Sequence, residues 1–278
     1  MENKKYAIIG KPLSHSLSPI LHNYWFKKYK LKSEYSLLEI NENEIESTIE
    51  KIRSKKIHGI NITLPYKQKI IPFVDKLVND AEKTKSVNTI YLDQDNNIVG
   101  ENTDVYGLQS GYFKQLINKN SNRKTVLVIG AGGVAPSVLI ALEKSGIKNI
   151  SLINRTYDRS LFLKKRFPKI QILKWENLQS CIKNFDIIIN ATSLGLKGGQ
   201  EFKVRFENIK RNAVFIDTIY NPLKTKTISF LESSHVKVFN GLDMFLYQGQ
   251  KSFYLWNKIN PEINDDIINI LIDRLKTQ

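Results

Sequence analysis

Several clusters of residues in this chain have types and spacings suited to chemistry. Lys67 closes the run Asn61-Ile62-Thr63-Leu64-Pro65-Tyr66-Lys67, about one turn past an apolar strand. A lysine so placed can reach into a cleft and serve as a general acid or base. Upstream, Gly10-Lys11-Pro12-Leu13-Ser14-His15-Ser16-Leu17-Ser18-Pro19 crowds hydroxyls beside a helix start. Ser14 and Ser16 alternate, so both can face one way and receive a carboxylate together with backbone N–H groups. Taken alone, helix capping by Ser16 or Ser18 explains these hydroxyls better. Ser86-Val87-Asn88-Thr89 and Glu101-Asn102-Thr103-Asp104 add amide, hydroxyl and carboxylate groups that suit a polyhydroxylated ligand, although each is also a common turn residue.

A second chemistry is written in Val126-Leu127-Val128-Ile129-Gly130-Ala131-Gly132-Gly133-Val134. An apolar strand runs into a glycine turn and then a helix. Glycine lets backbone turn tightly and approach a pyrophosphate, and the helix N-terminus offers N–H groups to it. A tight strand-to-helix turn with no ligand is the alternative. The next strand ends Ile153-Asn154-Arg155-Thr156-Tyr157-Asp158-Arg159, with no acid at its tip to accept from a ribose 2′-OH. Arg155 can stack on adenine and pair with a 2′-phosphate; Asn154 and Thr156 can add hydrogen bonds, and Arg159 a second charge. NADP(H) is therefore the expected cofactor, rather than NAD.

These residues need elements to hold them, and strand and helix signals alternate along the chain. Strands are expected at 6–10, 35–40 and 57–63, and helices at 19–29, with Ser18 as N-cap, and 42–54. Short helical pieces follow over 67–78, then a hairpin, 88–92 and 98–101, turning at Asp95-Asn96-Asn97. A helix over 105–118 leads to a polar linker, Asn118 to Lys124. Beyond it, strands at 125–130, 149–154, 170–173, 185–190, 213–217 and 236–239 alternate with helices at 134–145 and 157–167. Helices at 243–257 and 264–276 end the pattern. Near-continuous apolar strands between helices imply a buried parallel sheet.

Composition limits the alternatives. The chain has 278 residues, 41% of them hydrophobic, enough for a sizeable core, and no apolar run of membrane-spanning length. The opening residues do not follow signal-peptide order, so a cytoplasmic location is expected. Cys181 is the only cysteine, which rules out an internal disulfide; its place in a helical stretch reads as a packed structural thiol. Four scattered histidines do not make a metal site. The net charge of +15 raises a nucleic-acid surface, but Lys, Asn and Ile are abundant throughout and Lys164-Lys165-Arg166 is only a short basic run. Neither a nucleic-acid nor a membrane partner is expected.

The chain resembles the shikimate dehydrogenase family over essentially its whole length. The resemblance rests on the segments from Gly10, Asn61 and Gly130 already given, on Val87-Asn-Thr89, Asn102-Thr-Asp104 and Asn154-Arg-Thr156, and on Asn190-Ala-Thr-Ser-Leu-Gly195, Tyr220-Asn-Pro222 and Asn240-Gly-Leu242. It implies that Ser14 and Ser16 bind the substrate carboxylate, and that Thr63, Asn88, Asp104 and Gln248 meet ring hydroxyls or carboxylate, with Tyr220 closing the same pocket. Lys67 matches the catalytic lysine and Asp104 its partner. Gly130, Ala131, Gly132, Gly133 and Val134, with Asn154, Arg155, Thr156 and Arg159, match the NADP-binding segments; Gly241 matches a backbone contact near the nicotinamide, and Thr218 a variable position near the cofactor. Asn79, Val105 and Asp243 depart from common family residues, and Pro136 sits early in the glycine-loop helix.

The expected fold is α/β: an N-terminal α/β substrate domain, 1–104, and a Rossmann-type NADP-binding domain, 105–241, with the cleft between them and helices of 242–278 packing back on the first. The expected reaction is reversible NADPH-dependent reduction of 3-dehydroshikimate to shikimate, a small-molecule substrate, without a metal, by a monomer or homodimer. Quinate/shikimate activity, or a non-catalytic ligand-binding regulator on the same fold, are the competing expectations.

Overall fold

The computed structural model describes residues 3–117 and 123–277; most of the expected linker, 118–122, lies outside the described residues. The chain divides into two compact units, Met1–Gly107 with Leu246–Gln278, and Leu108–Phe245.

The first unit is built on a six-stranded sheet of β1 (Lys4–Gly10), β2 (Ser33–Glu39), β3 (Gly59–Ile62), β4 (Lys76–Leu77), β5 (Thr89–Leu92) and β6 (Ile98–Glu101), in the order β2-β1-β3-β5-β6-β4. β1 runs parallel to β2 and β3, whereas β5 is antiparallel to β3 and β6. Both faces are covered, which is why β1 reads as an unbroken apolar run rather than an alternating one. Ala7, Ile9, Ile60 and Ile62 join a core with Ile45, Ile49 and Ile52 of the helix Ile45–Arg53. On the other face Tyr6 stacks on Phe26 at 5.3 Å and on Trp256 at 4.9 Å. Trp256 donates from Nε1 to the Ile90 carbonyl at 3.0 Å. Gly59 lies beneath that indole: a Cβ there would fall 2.3 Å from its nitrogen, so only glycine admits the contact.

Local details depart from the expectations at helix ends. The first helix covers Ser18–Lys28, so Ser18 is its first residue; the N-cap is Leu17, which supplies no side-chain bond. The segment expected as one helix from Glu42 opens as a 3-10 turn, Glu42–Glu44, closed by an Asn41/Glu44 capping box. Residues 67–78 hold only a 3-10 turn, Ile71–Phe73, and the short strand β4. The helix expected over 105–118 begins at Asp104 and passes through a π-helical turn, Gln109–Phe113. Tertiary contacts account for that turn: the Tyr112 hydroxyl donates to the Asn240 carbonyl at 2.6 Å, and Gly111 lies too close to Asp243 and Met244 for any larger residue without local give.

The second unit carries a sheet of β7 (Thr125–Ile129), β8 (Asn149–Ile153), β9 (Gln171–Leu173), β10 (Ile187–Asn190), β11 (Val214–Asp217) and β12 (Lys237–Phe239), ordered β12-β11-β10-β7-β8-β9. All its pairings are parallel. Val126 to Ile129 and Ile187 to Ile189 are completely buried, as central strands covered on both faces must be. The chain winds outward from β7 to β9 and then crosses to β10 on the other side of β7. Strand order reverses there, and in open sheets of this kind that is where ligands bind. Cys181 is half-buried at the end of a short helix, and burial pushes its thiol up, as a packed structural thiol requires.

The loops at this sheet's carboxyl edge are held by one buried acid. Asp217, at the end of β11, is completely buried. It accepts from Asn190 Nδ2 at 2.9 Å, the Ile219 N–H at 3.1 Å and Thr225 Oγ1 at 3.1 Å. Burial outweighs these donors and pushes the carboxyl up to about 6. The folded protein thus holds a proton there that the unfolded chain has already released, and stability falls as pH rises from about 4 to 6. Asp217→Asn does not titrate, so urea unfolding at pH 4.5 and 7.5 should show the variant gaining on the parent with rising pH, by about 2 kcal/mol. A pH-independent difference between the two proteins would show that Asp217 is ionised throughout.

Candidate functional site

The topology of the first sheet gathers the chemically able residues on one edge. β1 and β3 are parallel, so the loops leaving Gly10 and Ile62 emerge at the same edge. β5 is antiparallel, so Asn88 just before it lies at that edge, and Asn102 to Asp104 after β6 follow suit. Strand direction alone therefore brings together the Ser14/Ser16 loop, the Thr63–Lys67 loop, Asn88 and Asp104. Gly10 lets the first two loops pack: a Cβ there would fall 2.3 Å from the Thr63 methyl, and the Lys11 N–H donates to the Leu64 carbonyl at 3.1 Å.

Lys67 Nζ donates to Asp104 Oδ2 at 2.6 Å, with side-chain exposures of 16% and 5%. A pair this buried is retained only if its remaining polar atoms find partners. Asn88 Nδ2 donates to Asp104 Oδ1 at 2.8 Å, so each carboxylate oxygen has a donor. The Asn88 amide cannot turn around, because its Oδ1 accepts from the Thr103 N–H at 2.7 Å. Lys67 is anchored from behind, its carbonyl accepting from the Val87 N–H at 2.8 Å. An ammonium has three hydrogens, so two remain beyond the one given to Asp104. The assembly is an ammonium held beside a fixed carboxylate at one edge of the sheet, an arrangement chemically able to donate a proton.

The other expected substrate residues have diverse settings. Ser14 is exposed and Ser16 half-buried. Ser16 Oγ accepts from the Ser18 N–H at 3.4 Å, too long to be the main use of that hydroxyl. Gln248 lies on the helix Leu242–Asn257, its carbonyl accepting from Ser252 Oγ at 3.0 Å. Tyr220 belongs to the second unit, tilted against Phe245 at 4.9 Å, and burial pushes its hydroxyl up to about 12. Asn79 donates to both oxygens of Glu101 at 3.0 Å, which gives this family departure a structural use.

In the second unit all strands are parallel, so Gly130, Asn154, Asn190, Thr218 and Asn240 stand at the carboxyl ends of β7, β8, β10, β11 and β12 on one edge. Gly130 has φ +111° and lies against β10's exit; a Cβ would meet the Ala191 carbonyl at 2.7 Å. Gly132 is open by comparison, its nearest neighbour 3.9 Å away. The helix Ala135–Lys144 then begins with Pro136 in its first turn and Val134 as an N-cap that contributes no side-chain bond. The Ala135 N–H turns back to the Gly132 carbonyl at 3.2 Å and Pro136 has no N–H, so an anion here is met by the N–H groups of the glycine turn that precedes the helix. Asn154 accepts from the Ala131 N–H at 3.0 Å and donates to the Thr156 carbonyl at 2.7 Å, so it shapes the glycine turn. Arg155 and Arg159 are exposed and form no ion pair among the described residues. Thr218 Oγ1 donates to the Asn190 carbonyl at 2.9 Å. Gly241 leaves no room for a side chain, a Cβ falling 2.4 Å from the Thr218 carbonyl. Glycine turn, uncapped helix start and unpaired arginines, with no acid at the β8 tip, fit NADP(H).

Sequence reasoning passed over the residues behind both sites. Asn61, Thr89 and Thr103 lie inside the motifs, the first two within expected strands, yet nothing in their spacing marks them as supports of the site. Ser252 and Asp217 carry no local sequence signal at all.

Among the described residues no helix is long and apolar enough to cross a membrane. Comparison with known proteins points one way. Residues 8–90 match the shikimate dehydrogenase substrate binding domain, and residues 113–224 match shikimate / quinate 5-dehydrogenase. The shikimate dehydrogenase (NADP(+)) of Pelagibacter ubique is 46% identical over 268 residues, spanning 96% of this chain and 98% of that one. The crystal structure of shikimate dehydrogenase from Aquifex aeolicus superposes with a TM-score of 0.87 at 32% identity, over 97% of both chains. That of Listeria monocytogenes shikimate 5-dehydrogenase, in complex with shikimate and NAD, gives 0.86 at 28% identity, over 97% of this chain and 96% of that one. The chain belongs to the shikimate dehydrogenase family.

Proposed function

We propose that this chain catalyses the reversible NADP(H)-dependent reduction of 3-dehydroshikimate to shikimate. The observation that carries this reading is the buried Lys67–Asp104 pair at 2.6 Å, aligned by Asn88, in a chain of this family. The cofactor, when bound, supplies or accepts the hydride. Lys67 gives a proton from Nζ to the ketone oxygen as negative charge develops on it, and takes the proton back in the reverse direction. Asp104 holds the ammonium in place; its oxygens keep lone pairs beyond those used by Lys67 and Asn88, which can accept from a ring hydroxyl. Ser14 and Ser16 receive the carboxylate. Thr63, Asn88, Gln248 and Tyr220 supply the remaining substrate contacts.

On the cofactor side, the Gly130–Val134 turn and the helix start behind it take the pyrophosphate. Arg155, helped by Arg159 and Thr156, takes the ribose 2′-phosphate, and Thr218 and Gly241 border the nicotinamide. A relative with this fold has been crystallised with NAD, so the fold alone does not choose the cofactor. The unpaired Arg155 and the absence of an acid at the β8 tip favour NADP(H).

Spectrophotometric assays of shikimate and quinate, each with NADP and NAD, test the reading directly; no oxidation of shikimate with either cofactor would refute it. Lys67→Ala should lower kcat by about 10²–10⁴-fold and change KM for shikimate much less, because the interaction belongs to the transition state. A variant with near-normal kcat and a large KM would make Lys67 a binding residue only. Preference for NADP over NAD in kcat/KM should be at least about tenfold, since a partly exposed charge-assisted pair contributes about 1.5–3 kcal/mol. Arg155→Ala should remove most of it by weakening NADP use, and added salt should shrink it. Equal use of both cofactors by the parent protein would contradict the role given to Arg155.

A further inference from the structure

We infer that Ser252 is a positioning residue for the proton-transfer pair, acting through Asn88 and resting on the function proposed above. Ser252 sits on the helix Leu242–Asn257, completely buried, with its Oγ in a closed group of polar side chains. Asn61 Nδ2 approaches it at 3.0 Å, Thr89 Oγ1 at 2.8 Å and Thr103 Oγ1 at 3.2 Å, and it donates to the Gln248 carbonyl at 3.0 Å.

Counting hydrogens shows why it matters. The Asn88 Oδ1 has two lone pairs. The Thr103 N–H takes one at 2.7 Å, and the Thr89 and Thr103 hydroxyls, each 3.1 Å away, compete for the other. One of those hydroxyl protons must go elsewhere. Ser252 Oγ accepts it and passes its own proton to Gln248; a direct threonine–threonine bond, at 3.3 Å, is the longest contact in the group. Every buried hydrogen then has a partner, and the Asn88 amide is held with Nδ2 toward Asp104. Without the Ser252 hydroxyl, that proton is left with the 3.3 Å threonine–threonine contact or a share of one Asn88 lone pair, and the asparagine that aligns Asp104 against Lys67 is held less firmly, by the Thr103 N–H alone. Ser252 touches neither Lys67 nor Asp104, so its influence passes through Asn88.

The test is steady-state kinetics of shikimate oxidation on Ser252→Ala, Ser252→Thr, Asn88→Ala and the Ser252→Ala/Asn88→Ala pair. Ser252→Ala should lower kcat on the order of tenfold, equivalent to about 1.4 kcal/mol, with KM for NADP unchanged. Ser252→Thr, which keeps the hydroxyl, should recover most of kcat. In the Asn88→Ala background the same alanine change should cost little more, because residues acting in one chain are not additive. Should Ser252→Ala prove unstable, Ser252→Cys fills the same volume with a weak donor and carries the same expectation. Near-normal kcat in the alanine or cysteine variant, or a full additional tenfold loss in the double variant, overturns the inference while leaving the proposed activity intact. A parent protein that does not oxidise shikimate would instead remove the activity on which the inference rests.

Discussion

Burying a charged carboxylate beside a charged amine sets the terms for the whole first unit. Asp104 is almost fully enclosed, so its carboxylate depends on donors within the protein, and the side chains that supply them must themselves be matched. That requirement passes from Asp104 to Asn88, from Asn88 to two threonines, and from there to Asn61 and Ser252. Tyr35 ends the chain by donating to Asn61 Oδ1 at 2.8 Å. A fully satisfied network of this kind is rigid, since moving one member leaves another unpaired in a low-dielectric interior. Rigidity is what proton transfer needs, because the donor must stand where charge will develop.

The second unit solves a different problem with the same economy of means. Toward an anion it presents the backbone of a glycine turn and, after β8, the exposed side chains of Arg155 and Arg159. The glycine turn after β7 leaves N–H groups at a helix start, and Asn154 shapes the turn with both ends of its amide. Asp217 does for the loops after β10 and β11 what Asn88 does for Asp104. It collects a side-chain amide, a backbone N–H and a hydroxyl, and so ties the approach to Thr218 to the cap of the next helix. In both units the candidate site residues are held by buried polar groups one layer behind them.

Much of this was legible in the order of residues. The glycine turn announced itself because an apolar strand, three glycines and a helix start must occur together for a backbone to approach a phosphate. Lys67 stood out by its place one turn past a strand end, whereas Asn88 and Asp104 read as turn residues and took their roles from the family resemblance. Helix ends were less legible. Ser18 looked like a cap but lies inside the helix, and the segment after Asp104 looked like regular helix. Its π-helical turn exists because Tyr112 and Gly111 answer to Asn240 and Asp243, more than a hundred positions away.

The sequence by itself determined the alternating α/β pattern, the cofactor turn, the absence of an acid at the β8 tip and the residue types at the substrate edge, because each is a local property of spacing or side-chain chemistry. Only the tertiary structure decided that the expected hairpin adds to the sheet with β5 antiparallel to β3, and that pairing is what delivers Asn88 to the edge where Lys67 and Asp104 emerge. It also decided that Ser252 and Asp217 matter. Neither is marked by its neighbours in the chain; each acquires its role from partners that strand pairing and helix packing bring within hydrogen-bond distance, in an interior where an unmatched donor or acceptor is too costly to leave.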